Sequence, residues 1–166
     1  YVAVQVDFRN QPDVWRRVTG GDAWVQPEGN AADPRTLYGF FEWVKKKCPA
    51  KNFLLMFWGH SRGPFGLFTD SDWWTYVAQT LTLTELRDAL KEARYCLGRP
   101  MDIVVFKDCF MSTLETAYEL RELAHFVIAS QSRVPSLGWP YQRMLGALKS
   151  EGDSSEAAKI IVSALR

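Results

Sequence analysis

Cys109 and His60 are the residues whose types and placement could do chemistry. Cys109 follows Asp102-Ile103-Val104-Val105-Phe106-Lys107-Asp108, a run whose centre is continuously apolar and largely β-branched. Such a run suits a parallel strand covered on both faces. His60 closes Asn52-Phe53-Leu54-Leu55-Met56-Phe57-Trp58-Gly59-His60, which has the same design. The chain holds only 2 histidines, so one of them at a strand end is informative. Most free cysteines are small buried hydrophobes. A thiolate nucleophile and a proton-carrying imidazole on separate strand ends meet, however, when the strands are neighbours.

The elements that must position this pair can be read around it. In an open α/β sheet, ligands and chemistry collect beyond the carboxyl ends of the strands. After Cys109 the pattern predicts a helix over 111–123, with Leu114, Tyr118 and Leu120 apolar and Ser112-x-x-Glu115 as capping box. The N-terminus of such a helix would stabilise a thiolate. Upstream, Tyr1-Val2-Ala3-Val4-Gln5-Val6-Asp7 reads as a strand, and 8–30 as loop and hairpin broken by Gly20-Gly21 and Pro27. Asp33-Pro34 starts a helix through Leu37, Phe40, Phe41 and Val44. Lys45-Lys46-Lys47 closes it at the negative end of its dipole, and Cys48-Pro49 ends it. The lysine run is a solvated helix terminus rather than a nucleic-acid patch.

Phe65-Gly66-Leu67-Phe68, Asp70-Ser71-Asp72 and Trp73-Trp74 read as a hairpin excursion at the rim of the site. The two tryptophans are candidates for a subsite wall or for packing under the hairpin. Thr82-x-x-Glu85 caps a helix through Leu83, Leu86, Leu90 and Ala93, which Gly98-Arg99-Pro100 ends. Phe126-Val127-Ile128-Ala129 reads as a buried strand, and 139–149 and 155–166 as helices. His125 reads as a surface or helix-capping residue. The alternation predicts a mostly parallel three-layer α/β/α sandwich.

Several blocks resemble the clostripain family of cysteine peptidases, in the clan of caspases, gingipains, legumain and separase. They are Trp58-Gly59-His60 with Gly63, Asp108-Cys109-Phe110-Met111-Ser112-Thr113-Leu114-Glu115-Thr116-Ala117-Tyr118-Glu119-Leu120, Ala129-Ser130-Gln131 and Gly138-Trp139-Pro140-Tyr141. The matching blocks run from about Gly29-Asn30 to Tyr141. The resemblance implies a caspase-like fold and hydrolysis of peptide bonds through a His60–Cys109 dyad. It also implies oxyanion donors at the Cys109 N–H and near Gly59. Tyr1–Asp7 would then be the second strand of the sheet, and the first strand would be missing from this chain. A fragment of a longer processed chain is therefore expected, with an upstream segment or a regulatory or sensor domain as partner.

The chain departs from the family pattern near the substrate. In relatives the residue two before the cysteine is typically Asp, in the pocket that selects Arg or Lys. Here it is Lys107, with Asp108 next to the cysteine. Arg133 follows the next strand, and Ser61-Arg62 stand where the family is glycine-rich. Lys107, Asp108, Arg133 and Arg62 are thus candidate substrate-binding residues, and the pocket leans to acidic or neutral side chains before the cut. Asp108 serving a basic pocket after a one-residue shift is the alternative, as is simple solvation of Lys107 and Arg133. Gly59-His60-Ser61-Arg62-Gly63 also fits the G-x-S-x-G elbow of an α/β-hydrolase. Pro64 and Gly66 oppose the helix that an elbow needs. A catalytically inactive binding scaffold is the third reading.

Composition bounds the rest. The 166 residues, 47% of them hydrophobic, suit one domain with one core. A net charge of +1 makes no electrostatic case for nucleic acid or an anionic membrane, and no run has the length of a membrane span. Three cysteines, Cys48, Cys96 and Cys109, form no disulfide framework or zinc spacing, which points to a reducing, cytoplasmic setting. No cofactor is expected. Family resemblance leaves a calcium requirement open, but Asp70 and Asp72 make only half a calcium loop.

Overall fold

The computed structural model of the chain describes residues 1–7, 13–21, 23–27, 30–70, 79–135, 138–148 and 152–165. Strands β1 (Ala3–Asp7), β2 (Asp13–Val18) and β3 (Ala23–Pro27) form an antiparallel meander. Among the described residues β1 does not pair with the parallel strands. Its backbone groups are met by β2, with Ala3 opposite Val18 and Asp7 opposite Val14. Pairing between neighbours in sequence closes a short loop at little entropic cost.

Helix α1 (Pro34–Lys47) begins as its sequence dictates, with the Asp33 carboxylate accepting the Arg35 N–H at 2.8 Å and its three lysines in the last turn. Strand β4 (Leu54–Trp58) leads to a single 3₁₀ turn at Gly63–Phe65. The expected hairpin follows as β5 (Leu67–Asp70) and β6 (Gln79–Leu81). Asp72, Trp73 and Trp74 lie outside the described residues. Helix α2 (Leu83–Leu97) carries both halves of the Thr82–Glu85 capping box and stops at Gly98, whose φ of 78° suits glycine.

Strand β7 (Met101–Lys107) is buried along its whole length. After it come α3 (Leu114–Leu120), β8 (Ala124–Ile128), α4 (Tyr141–Leu148) and α5 (Ser154–Ala164). Strands β4, β7 and β8 pair in parallel in that order, so β7 is the centre of the sheet. Its side chains alternate between two cores. Val104 and Phe106 pack with Leu55, Phe57, Phe41, Leu86, Leu90 and Leu120. Ile103 and Val105 pack on the opposite face with Met144 and Ile161. Each fully buried leucine or isoleucine here contributes roughly 1.5–3 kcal/mol. The result is the predicted three-layer order of helices, parallel sheet and helices. Asp102 anchors the start of β7 by accepting the Phe53 N–H at 2.8 Å and Arg99 Nη2 at 3.0 Å.

Three local expectations are corrected. Helix α3 begins at Leu114, not 111, and its N-cap is Thr113, whose hydroxyl accepts the Thr116 N–H. Leu114 and Tyr118 are 82% and 60% exposed, so only Leu120 of the three expected apolar contacts is buried. Strand β8 is an edge strand, with Phe126 and Val127 36% and 38% exposed rather than buried. His125 is exposed, as its surface reading has it, and lies within β8 instead of capping a helix.

Candidate active site

The register of the sheet brings the two chemical residues to one edge. Trp58 is the partner of Lys107 across the parallel β4–β7 pair. The chain therefore leaves β4 as Gly59-His60-Ser61 beside the point where it leaves β7 as Asp108-Cys109-Phe110. The Ser61 hydroxyl donates to the Cys109 carbonyl oxygen and ties the two turns together. The Phe68 N–H donates to the His60 carbonyl at 2.9 Å, so the β5 strand fixes the backbone of the histidine. Gly63, at φ +60°, packs so closely that an added Cβ would stand 3.0 Å from the Phe110 carbonyl oxygen.

Between Cys109 and α3 the backbone turns sharply, with Phe110 at φ 58°. Four residues separate Cys109 from Leu114, where α3 begins. A backbone amide stands beside the thiol. The Val134 N–H donates to Cys109 Sγ at 3.3 Å. The segment after β8 runs along the cysteine turn, with Phe110 N–H to Ser132 O at 3.1 Å and Ser112 N–H to Ser130 O at 3.0 Å. Nothing in the local sequence marks Val134, because its contribution is an amide that every non-proline residue owns. Cys109 is half-buried and His60 is exposed.

The two charged residues before the cysteine go to different surroundings. Lys107 is 3% exposed, and its Nζ lies 4.4 Å from the centroid of the Trp58 ring. Trp58 in turn stacks on Tyr141 at 5.5 Å, which gives the Gly-Trp-Pro-Tyr block a task that sequence alone did not reveal. Tyr141 also lines an open cleft of about 570 Å³ with Trp139, Pro140, Gln142 and Arg143. Asp108 is 0% exposed. Its Oδ1 stands 3.5 Å from where a Cβ on Gly59 would be. Neither carboxylate oxygen has a hydrogen-bond partner of regular geometry among the described residues. Burial pushes its pKa up to about 6, against the opposing pull of the Gly59 N–H and of the His60 and Lys107 charges. Arg62 and Arg133 are exposed.

The serine elbow does not form. Ser61 makes an isolated bridge with Leu67, and a 3₁₀ turn and a strand follow it instead of an α-helix. Among the described residues, no three His, Cys, Asp or Glu side chains cluster as a metal site, and no helix is long and apolar enough to cross a membrane.

The fold is thus a parallel sheet with helices on both faces, with a cysteine and a histidine just beyond neighbouring strand ends. The model of the clostripain family, Peptidase C11, matches residues 4–166, and the chain belongs to that family. Its fold is similar to that of a secreted C11 cysteine protease from Bacteroides thetaiotaomicron, solved with an irreversible peptide inhibitor. The TM-score is 0.75 at 24% identity, over 98% of this chain and 46% of that one. It is also similar to an inactive zymogen C11 protease from Parabacteroides distasonis, with a TM-score of 0.67 at 24% identity, over 97% of this chain and 46% of that one. The chain thus spans less than half the length of these solved relatives. No curated protein matches it.

Proposed function

We propose that this chain carries the catalytic dyad of a cysteine endopeptidase, with Cys109 as nucleophile and His60 as proton carrier. The observation that carries the reading is the bond from the Ser61 hydroxyl to the Cys109 carbonyl, which couples the residue after the histidine to the cysteine itself. Peptide hydrolysis needs a nucleophile, a proton for the leaving amine and donors for the oxyanion. The Cys109 thiolate attacks the scissile carbonyl, and the C–N bond breaks as the His60 imidazolium protonates the amine. His60 then takes a proton from water, whose oxygen displaces the thiolate from the acyl-enzyme. The Cys109 N–H serves the oxyanion, with the Gly59–His60 turn as the second source of a donor.

The substrate is a protein or peptide. Lys107 supplies positive charge on the Trp58–Tyr141 side of the strand end, with Arg62 and Arg133 as exposed cations. This supports a preference for an acidic or neutral residue before the cut. A regulatory segment elsewhere in a longer chain is part of the same proposal. Cys109→Ala is expected to abolish peptide cleavage and labelling by a thiol-directed acylating probe. Cleavage that survives Cys109→Ala and disappears with Ser61→Ala would instead establish a serine hydrolase.

A further inference from the structure

Among the described residues, Phe68 and Phe110 are the two other than glycine that hold a left-handed backbone, at φ 53° and 58°. That conformation crowds Cβ against the main chain and is costly for any L-residue. Both stand at the active site, where such strain collects. The Phe68 N–H donates to the His60 carbonyl, and Phe110 follows Cys109 directly. For Phe68 the offset is visible. Its ring packs on Phe57 at 5.8 Å and against the apolar core. Phe110 is 42% exposed, and its ring meets no other aromatic ring among the described residues. A glycine would hold the same turn without strain. The chain instead keeps a large apolar side chain there, half out of the fold.

The surroundings of Phe110 are of the same kind. The 3₁₀ turn approaches it through Gly63, where an added Cβ would stand 3.4 Å from the Phe110 Cβ. That turn exposes Phe65, and α3, which packs on the turn, exposes Leu114. Apolar side chains exposed together mark a binding surface. The chemistry gives its side of the scissile bond. His60 must stand beside the leaving amine that it protonates, and Phe110 lies against the turn that follows His60. We propose that Phe110 is a specificity-determining residue, its ring walling an apolar subsite for the substrate residue immediately after the cut. The inference rests on the dyad reading above. A leucine or phenylalanine of the substrate, laid on the ring, withdraws apolar surface of both partners from water.

The test is a library of internally quenched peptides in which the residue after the cut varies and the residue before it is fixed. The unsubstituted protein is expected to favour Leu and Phe over Gly and Asp at that position by about tenfold in kcat/KM. Phe110→Gly keeps the turn and removes the ring, and should flatten the preference to within about twofold. Phe110→Lys should turn it toward Asp and Glu. Each preference is a ratio within one protein, so a general loss of activity cancels and a merely structural role leaves the ratio unmoved. An unchanged preference in either variant overturns the proposal. Should neither variant fold, the unsubstituted protein decides, because indifference to the residue after the cut overturns the proposal by itself. Retained cleavage in Cys109→Ala would fail the dyad reading, a separate outcome from an active protein that is indifferent at this position.

Discussion

The Ser61 hydroxyl donates to the carbonyl oxygen of Cys109, so the turn that carries the histidine is fastened to the turn that carries the thiol. Two parallel strands deliver the turns to one edge, but strand pairing stops at Trp58 and Lys107. Beyond that point the spacing of His60 and Cys109 depends on contacts such as this one. Ser61→Ala removes a hydrogen bond with a net worth of about 1 kcal/mol. The expected outcome is a fall in kcat/KM of about five- to tenfold, with thiol labelling retained. Complete loss of cleavage alongside full labelling of Cys109 would point to Ser61 as the nucleophile.

Gly63 supports the same geometry from the other side. Its φ of +60° and the 3.0 Å that would separate an added Cβ from the Phe110 oxygen leave an alanine no comfortable conformation. Gly63→Ala is expected to cost about 1–3 kcal/mol, seen as a lowered melting temperature. Because Phe110 follows the nucleophile, labelling of Cys109 should slow as well. A variant with unchanged melting and labelling would show that this contact is slack.

Lys107 offers the test of substrate choice. A charge opposite a substrate side chain of the same sign changes selectivity by several kcal/mol when desolvated, and each 1.4 kcal/mol is about tenfold. A positional-scanning peptide library on the unsubstituted chain should show Arg and Lys disfavoured before the cut. Lys107→Asp should shift preference toward them by about tenfold or more. Lys107→Met, which keeps the stem over Trp58, should flatten the preference without reversing it. Clean cleavage after Arg in all three proteins would remove Lys107 from the pocket.

The stability of the domain should report on Asp108 through pH. Its folded pKa is raised by burial from 3.8 to about 6. Below the unfolded value both states hold the proton. Between the two values the unfolded chain ionises first, so stability falls as pH rises through that window. Above it the full penalty, on the order of 3 kcal/mol, is in place. Asp108→Asn should therefore melt higher than the unsubstituted chain at pH 8 and converge with it at pH 4. A variant that is less stable at pH 8 would mean the carboxylate is held by stronger partners than its surroundings show.

Much of this molecule was legible in the order of its residues. The apolar run of β7, the matched run of β4, the Asp33 and Thr82 caps and the Gly98 stop are local signals, and local signals survive into the fold because they need no distant partner. The neighbouring strand ends were legible too, since β4 and β7 pair in parallel, although β4 buries only Leu55 and Phe57 fully and leaves Leu54 and Trp58 exposed where the sequence predicts a run covered on both faces. What followed Cys109 was not. The Ser112-x-x-Glu115 pattern does not form the cap, which falls on Thr113, and the backbone turns left-handed at Phe110 before it.

Residue order alone decided that a cysteine and a histidine would stand at strand ends, and that charge near the cysteine would be mixed. The tertiary structure alone decided which charge went where. Adjacent residues on a strand point to opposite faces, so Lys107 came to lie over Trp58 while Asp108 was buried beneath Gly59. It also decided that a main-chain amide, Val134, would reach the thiol. Such an amide has no side-chain signature, and only the path of the chain brings it there.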